Sequence, residues 1–366
     1  GYIKEGALEN LKLYKYSCVD DSYMSKYVLQ PYWRFCLNFV PLSIAPNLVT
    51  LIGFFALIVN AITAYIYFPN LQGTAPSWVY LSFAFGIQWY SLMDNLDGKQ
   101  ARRTQNSSPL GELFDHGCDC LTVALIVIIV SGVAQAGTGT LVFIILMICE
   151  AGFWMATWEE YHTGSLYLGV VNGPSEGLQL ISVFYLLAFF FGGDFFTTPI
   201  NLPFSIFGHN QFLLNQIIMV FYGAGGLLTM IFNFSSVINY IKKSGKGIGS
   251  AILGLISFAI IASSCILWFS VSNLFEQYPF LFVLSIGLCI GELTSRLILA
   301  HVTIVPFNTV QRPHLLIFLG AINSTIGYFY NWYILPEYYC LVGVFTISIL
   351  LFAHYVNSVV YEICNH

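Results

Sequence analysis

Long, unbroken runs of apolar residues recur along the whole chain. Ten of them have about 20 residues, the length that a helix rising 1.5 Å per residue needs to cross a bilayer. They cover residues 47–68, 77–97, 110–133, 138–160, 175–192, 211–240, 247–271, 278–301, 312–333 and 337–361. Because the runs are continuous rather than alternating, they predict helices and not barrel strands. We therefore expect an all-α integral membrane protein with about ten transmembrane helices.

Residues 1–45 have a different pattern. Basic residues such as Lys12 and Lys26 are interspersed there with aromatic residues such as Tyr32 and Trp33. Basic and aromatic side chains together suit the headgroup level of a membrane. We expect this stretch to be an N-terminal cytosolic or interfacial segment. Its polar first 20 residues, with charges of both signs, also predict that there is no cleavable signal peptide.

The composition narrows the class of protein. Of the 366 residues, 57% are hydrophobic and 8% are charged, whereas about a quarter of the residues in a soluble domain are charged. This excludes an ordinary soluble globule and a disordered chain, and no basic stretch is long enough to follow the phosphates of a nucleic acid. The nine cysteines form no CxxC motif, which predicts small core residues rather than disulfides or a zinc site.

The basic residues predict the orientation of the helices. With a cytosolic N-terminus, twelve of the thirteen Lys and Arg residues fall in cytosolic segments, and Arg296 lies inside the eighth span. The twelve are Lys4, Lys12, Lys15, Lys26, Arg34, Lys99, Arg102, Arg103, Lys242, Lys243, Lys246 and Arg312. Positive residues accumulate on the cytosolic side of membrane proteins. We therefore expect both termini and residues 94–119 to face the cytosol.

Residues 94–119 hold far more charged residues than other spans do, and charges inside spans mark candidate functional sites. One face of the second predicted helix carries Asp94, Asp97, Gly98 and Ala101, and one face of the third carries Gly111, Asp115 and Asp119. The loop between the two helices is short and contains Pro109. We expect the helices to be antiparallel neighbours whose acidic faces converge.

Four carboxylates close together at membrane depth repel one another, so they stay ionised only if cations lie among them. Ligands that are all oxygen select hard ions, namely Mg²⁺, Mn²⁺ or Ca²⁺ rather than zinc. Four aspartates suit two divalent ions that share a bridging carboxylate, and two metal ions ~3.5–4 Å apart commonly assist displacement at phosphorus. We therefore expect Asp94, Asp97, Asp115 and Asp119 to bind two metal ions.

Small residues on the same two helix faces indicate a ligand. Gly98, Ala101 and Gly111 would leave room for a bulky group against the backbone, although small residues also serve helix packing. The guanidinium of Arg102 can form a bidentate pair with a phosphate. Together these residues predict a metal-dependent site for a phosphorylated ligand such as a diphosphate, open to the cytosol.

The pattern D-G-x2-A-R-x8-G-x3-D-x3-D runs without a gap from Asp97 to Asp119. It resembles the signature of the CDP-alcohol phosphotransferase family. Flanking segments, among them IAPNLVTLIGF (44–54), TWEEYHT (157–163) and NGPSEG (172–177), are similar to those of the eukaryotic choline/ethanolamine phosphotransferases. The resemblance covers most of the chain and is weak towards the C-terminal end.

This resemblance implies the last step of phosphatidylcholine or phosphatidylethanolamine synthesis. The diacylglycerol hydroxyl would attack the β-phosphate of CDP-choline or CDP-ethanolamine in line, with two Mg²⁺ ions bound (Mn²⁺ as a substitute), and CMP would leave. The resemblance also implies that the CDP moiety is held by Gly98, Ala101, Arg102 and Gly111. A homodimer in the endoplasmic reticulum or Golgi membrane, with its site facing the cytosol, is the expected state.

Further residues receive roles in the expected reaction. A base must take the proton of the acceptor hydroxyl. We favour His116, because histidine titrates near neutrality, with Asp119 as the competing base and Glu112 holding the His116 tautomer. Glu176 is expected to orient His116 or the acceptor, and Asn47 either binds the cytidine or diphosphate or caps its helix. Candidates for contact with the ammonium headgroup are Glu159, Glu160 and His162.

Three regions follow from these assignments: the N-terminal segment 1–45, a catalytic transmembrane core 46–210, and C-terminal helices 211–366 for lipid access or dimerisation. Two alternatives remain open. The acceptor could be inositol or glycerol phosphate, which would require more basic residues near the site. The protein could instead be a divalent-cation transporter with midplane carboxylates, which predicts metal flux and no release of CMP.

Overall fold

Helices make up most of the chain in the computed structural model, which describes residues 1–366 apart from 5, 171, 207, 246 and 366. The α-helices among the described residues are α1 (Gln30–Leu37), α2 (Pro46–Tyr67), α3 (Ser77–Arg103), α4 (Pro109–Val133), α5 (Thr140–Thr163), α6 (Leu178–Phe191), α7 (Leu214–Ser244), α8 (Gly249–Val271), α9 (Leu274–Gln277), α10 (Pro279–Val302), α11 (Arg312–Tyr330) and α12 (Glu337–Cys364). The predicted all-α membrane class is confirmed. Lys246, used above for the orientation, lies outside the described residues.

Each of the ten predicted spans coincides with a long helix, namely α2 to α8 and α10 to α12. Within the described residues, eight helices are long and apolar enough to cross a membrane, and α3 and α11 fall short of that criterion. The C-terminal part of α3 carries the charged residues of the 94–119 region, while α11 buries His314, Asn323 and Ser324. Helix α3 continues to Arg103, past the predicted apolar span 77–97, and so includes Gly98 and Ala101 as expected.

Helix α10 forms the centre of the bundle. It packs against α4, α5, α11 and α12, and most of its apolar stretch is buried. Its approach to α4 is close at Gly287, where a Cβ atom would lie 2.4 Å from the Cβ of Ala124. A side chain at this position would collide with α4, so the glycine is required for packing.

Among the described residues, four short strands that the sequence did not predict lie in the connecting segments. Strand β1 (Cys18–Asp20) pairs in parallel with β2 (Leu166–Leu168), and β3 (Pro199–Ile206) pairs with β4 (His209–Leu213) in an antiparallel hairpin between α6 and α7. The β1–β2 pair joins the N-terminal segment to the chain that follows α5. The strands are too short, and too mixed in polarity, to produce a distinct hydrophobic pattern.

The N-terminal segment packs across the helix ends that carry residues 94–119. Arg103 at the end of α3 donates hydrogen bonds to the carbonyl oxygens of Leu37 (2.8 Å) and Val40 (2.5 Å). Asn10 Nδ2 donates to the carbonyl of Thr303, just after α10, at 2.8 Å. The segment is therefore attached to the protein at several points.

Candidate functional site

Helices α3 and α4 position the predicted carboxylates. The turn between them ends at Ser108, whose Oγ accepts a hydrogen bond from the backbone N–H of Gly111 at 3.1 Å and so caps α4, with Pro109 in the first turn. Helix α2 packs extensively against both α3 and α4, whereas α3 and α4 contact each other only slightly. The prediction that the two helices are close neighbours is therefore wrong over most of their length, because α2 occupies the space between them. They meet where their acidic residues lie.

Three of the four aspartates form a compact cluster. Carboxylate oxygens of Asp94, Asp115 and Asp119 all lie within 4.8 Å of one another, and the side chain of Asp97 lies beside that of Asp115. One oxygen of Asp115 is buried and has no hydrogen-bond partner among the described residues. Buried anions without partners are costly. The donor set and this unpartnered oxygen fit a bound divalent cation with oxygen ligands.

Hydroxyl groups hold two of these carboxylates in place. Asp97 is 5% exposed; it accepts a hydrogen bond from Thr50 Oγ1 at 2.5 Å and another from the N–H of Gly98. Asp119 accepts one from the hydroxyl of Tyr90 at 2.6 Å. Sequence reasoning missed Thr50 and Tyr90. Thr50 lies in the IAPNLVT segment that carried the resemblance, one helical turn after Asn47.

The two glycines of the site make no close packing contact. A Cβ at Gly98 would meet only the guanidinium of Arg102, at 3.6 Å, and a Cβ at Gly111 would meet Ser108 Oγ at 3.5 Å and Asn47 Oδ1 at 3.6 Å. These are ordinary contact distances, unlike the collision at Gly287. Helix packing therefore does not require glycine at 98 or 111. The expected role of the two glycines in holding a ligand stays a prediction.

Comparisons with known proteins address the family directly. Residues 43–207 match the family model of CDP-alcohol phosphatidyltransferase. The chain is 36% identical to choline/ethanolaminephosphotransferase 2 of Arabidopsis thaliana, over 99% of this chain and 96% of that protein. This chain belongs to the CDP-alcohol phosphatidyltransferase family. It is also 40% identical to class-I family protein 3 of Dictyostelium discoideum (100% and 96% covered) and 32% identical to cholinephosphotransferase 1 of Saccharomyces cerevisiae (86% and 82% covered).

Family membership gives the site its chemical context. The chain is an enzyme of a divalent-metal-dependent family, and the aspartate cluster is a group that could bind the metal.

Asn47 lies at the start of α2, with its side-chain oxygen near Gly111. The two neighbouring arginines differ: Arg102 is exposed, whereas Arg103 is bound to the N-terminal segment. Ala101 is half-buried one turn after Asp97. The structure thus brings Asn47, Gly98, Ala101, Arg102 and Gly111 to the helix ends around the cluster.

His116 lies beside a carboxylate that was not expected to be its partner. Its Nδ1 is 4.0 Å from an oxygen of Glu160 on α5. Glu112, which was expected to hold its tautomer, instead accepts a hydrogen bond from the hydroxyl of Tyr14. Burial and the negative charge of Glu112 raise the pKa of the Tyr14 phenol above its ordinary value. The N-terminal segment therefore contributes a side chain next to the predicted base.

Glu176 lies in a single π-helical turn, Gly173–Gly177, at the start of α6. One carboxylate oxygen accepts a hydrogen bond from Ser22, and the other accepts one from the backbone N–H of Asn172 at 3.0 Å. Among the described residues its hydrogen-bond partners are therefore Ser22 and Asn172 rather than His116. The expected role of Glu176 in orienting His116 or the acceptor stays a prediction.

Proposed function

We propose that this enzyme transfers phosphocholine, phosphoethanolamine or both from the CDP-alcohol to diacylglycerol, with release of CMP. One observation carries the proposal: carboxylates of Asp94, Asp115 and Asp119 converge, and one buried oxygen of Asp115 has no hydrogen-bond partner among the described residues. The nearby glycines Gly98 and Gly111 make no close packing contact. Such a site suits a metal-bound diphosphate. The names of the relatives in Arabidopsis thaliana and Saccharomyces cerevisiae support choline and ethanolamine as the headgroups.

The four aspartates Asp94, Asp97, Asp115 and Asp119 would hold two Mg²⁺ ions, which Mn²⁺ could replace. When bound, the ions would neutralise the negative charge of the diphosphate during transfer. The proposal that Asp97 belongs to this set is supported by its position beside Asp115 and by the bond from Thr50 that fixes its carboxylate.

Five residues would hold the CDP moiety. The backbone at Gly98, Ala101 and Gly111 would lie against it, the side-chain amide of Asn47 would donate to it, and the exposed guanidinium of Arg102 would pair with a phosphate. Support comes from the absence of close packing at Gly98 and Gly111 and from the position of Asn47 near Gly111. The exposure of Arg102 leaves its five N–H donors available to a ligand from the aqueous side.

The reaction requires one proton to move. His116 would accept the proton of the diacylglycerol hydroxyl while that oxygen forms a bond to the β-phosphorus. The bond from the β-phosphorus to the bridging oxygen breaks, and CMP leaves with that oxygen. Asp119 is the competing base, although it already accepts a hydrogen bond from Tyr90. Glu176 would orient His116 or the acceptor.

The proposed topology places the site at the cytosolic side of an endoplasmic reticulum or Golgi membrane. The soluble donor would enter from the cytosol, and the uncharged acceptor would enter laterally from the bilayer. Residues 46–210 would form the catalytic core, and residues 211–366 would serve lipid access or form a homodimer. The attachment of the basic N-terminal segment to the ends of α3 and α10 supports a common cytosolic end.

The test is an assay of the purified protein with radiolabelled CDP-choline or CDP-ethanolamine, diacylglycerol and Mg²⁺. We expect labelled lipid and an equal amount of CMP, and no product when EDTA replaces Mg²⁺. Absence of product with both donors would contradict the proposal, as would transfer only to inositol or glycerol phosphate. His116→Ala should retain binding of CDP-choline but lose transfer, and competition between the two donors measures the headgroup preference.

A further inference from the structure

A second group of ionisable side chains lies beside the aspartate cluster. Glu112 of α4, Glu160 of α5 and His301 of α10 each place one ligand atom within 4.8 Å of the others. We call these three residues the headgroup site. Three different helices converge here, and Tyr14 of the N-terminal segment covers the group by donating a hydrogen bond to Glu112. Glu160 is buried and the other two residues are half-buried, so the group is not a fully solvated surface.

Glu160 in this group lacks the partners that a buried carboxylate needs. It is 3% exposed, and its Oε1 has no hydrogen-bond partner among the described residues. Its other oxygen, Oε2, makes an ion-pair contact with Nδ1 of His116. The two atoms are 4.0 Å apart, which is beyond hydrogen-bonding distance. Leaving a buried carboxylate without hydrogen bonds or a counter-charge is costly. This oxygen is therefore available to a cationic group from outside the protein.

Aromatic rings lie next to His301 and His116, the two histidines near this carboxylate, and favour an organic cation. The ring of Tyr14 lies 5.3 Å from that of His301, and the ring of Tyr16 lies 6.2 Å from that of His116. Tyr161, next to Glu160 in α5, lies 6.5 Å from His301. Aromatic rings attract alkylammonium groups and are the usual means of recognising quaternary ammonium ligands. Carboxylates combined with such rings fit an ammonium better than a hydrated metal ion.

The position of the headgroup site matches the length of the expected substrate. Glu112 precedes Asp115 by three residues on one helix, which is about 4.5 Å along the helix axis. In choline and ethanolamine, two carbon atoms separate the phosphate-bearing oxygen from the nitrogen. A β-phosphate at the aspartate cluster would therefore bring the ammonium group to the adjacent turn of α4. Glu112 lies in that turn, and Glu160 of α5 lies beside it.

We propose that the headgroup site binds the ammonium group of the CDP-alcohol donor, with Glu160 as the main counter-charge. This inference rests on the proposed function and makes Glu160 a determinant of donor specificity. The neighbouring Glu159 is also buried, at 2% exposure, but its side chain interacts with Ser236 of α7 instead. The structure thus separates two adjacent glutamates that sequence reasoning treated alike.

The experiment compares CDP-choline with CDP-3,3-dimethylbutanol. The two compounds have the same shape, but in the second a neutral carbon atom replaces the charged nitrogen. For the purified protein we expect kcat/KM to favour CDP-choline by about tenfold or more. Glu160→Gln should bring that ratio close to one, chiefly by a loss with CDP-choline. Glu160→Asp, which keeps the charge, should keep most of the preference. Glu159→Gln is the matched control and should leave the ratio unchanged.

Three results would overturn the proposal. One is equal loss of rate with both donors in Glu160→Gln, which would make Glu160 a positioning residue for His116. Another is no preference for CDP-choline in the wild-type protein, a measurement that does not depend on any variant folding. The third is a lower Mn²⁺ stoichiometry in Glu160→Gln, which would indicate a metal site. If the wild-type protein turns over neither donor, the proposed function fails. The headgroup proposal is then tested by the ratio of the two donors' binding affinities, measured in the wild type and in Glu160→Gln.

Discussion

Glu292 of α10 and the aspartates of α3 and α4 are all carboxylates inside the helix bundle, but their surroundings differ. Glu292 accepts hydrogen bonds from Arg296 at 2.5 and 3.0 Å, and the guanidinium lies over the rings of Tyr2 and Tyr355 at 5.1 and 4.9 Å. The charge of Glu292 is therefore neutralised by Arg296. No Lys or Arg among the described residues neutralises the aspartates through an ion pair.

This difference separates a structural charge from a functional one. A buried ion pair with its hydrogen bonds made is complete, so removing either member leaves an uncompensated charge and weakens the fold. Like charges in a cluster repel one another, and the rest of the protein holds them close together. Removing one member therefore reduces the repulsion, but it also removes a ligand for a cation. Matched substitutions at the two places should therefore have opposite effects on activity and stability.

The largest effect is expected for Asp115→Asn. The amide keeps the shape of the side chain but removes one negative ligand from the cluster, so transfer should fall by at least about 10⁴-fold. Stability without metal should stay the same or rise, because repulsion among the aspartates decreases. CMP release and thermal unfolding in EDTA measure the two quantities. A wild-type rate would remove Asp115 from the proposed metal ligands.

Glu292→Gln should have the opposite outcome. It leaves the buried Arg296 without its counter-charge, which should lower the free energy of unfolding by about 3–5 kcal/mol. The remaining folded protein should keep its kcat. The double variant Glu292→Gln/Arg296→Met should recover part of the stability, because no unpaired charge remains. Unfolding in mixed micelles checks this, and a loss of kcat at unchanged stability would show that Glu292 belongs to the site.

A smaller effect is expected at the glycines. Gly98→Ala places a methyl group in contact with the Arg102 guanidinium. It should lower kcat/KM for the CDP-alcohol about tenfold, or about 1.4 kcal/mol. Its stability should not fall, since alanine favours a helix more than glycine does. Gly287→Ala is the control and should destabilise the bundle through the contact with Ala124. Unchanged kcat/KM in Gly98→Ala would mean that the ligand does not lie against this face.

The smallest effect concerns the hydrogen bond from Tyr14 to Glu112. Tyr14→Phe keeps the ring and should cost about 1 kcal/mol of stability. Because the pKa of the Tyr14 phenol is raised in the folded protein, its contribution is fully present below the unfolded value of about 10 and is lost as the pH rises above it. The stability difference between wild type and Tyr14→Phe should therefore be constant up to about pH 10 and change beyond it. A constant difference at every pH would contradict this.

The helices could be predicted from the sequence because a long apolar run inside a membrane must satisfy its own backbone hydrogen bonds, and a helix does so. Residues 47–68, for example, were predicted as a span and form α2 at Pro46–Tyr67. The spacing of Asp94, Asp115 and Asp119 likewise predicted a convergence that the structure contains, since residues on one helix face keep that face whatever surrounds them.

Contacts between distant segments could not be predicted in the same way. The nearness of Glu160 to His116 depends on how α5 lies against α4, and the hydrogen bond from Tyr14 to Glu112 joins residues 98 positions apart. Periodicity within one helix contains no information about either contact. The insertion of α2 between α3 and α4 was missed for the same reason, because a short loop suggests neighbours but does not require them.

The burial of α10 has a consequence for how the protein is made. Each charged side chain near the middle of a lone helix costs about 2.5–3.5 kcal/mol when the helix leaves the translocon for lipid, and α10 carries both Glu292 and Arg296. Its surroundings in the finished protein are other helices rather than acyl chains. We expect α10 to be held back during synthesis until α11 and α12 emerge, so that truncation of the last two helices would leave it outside the bilayer.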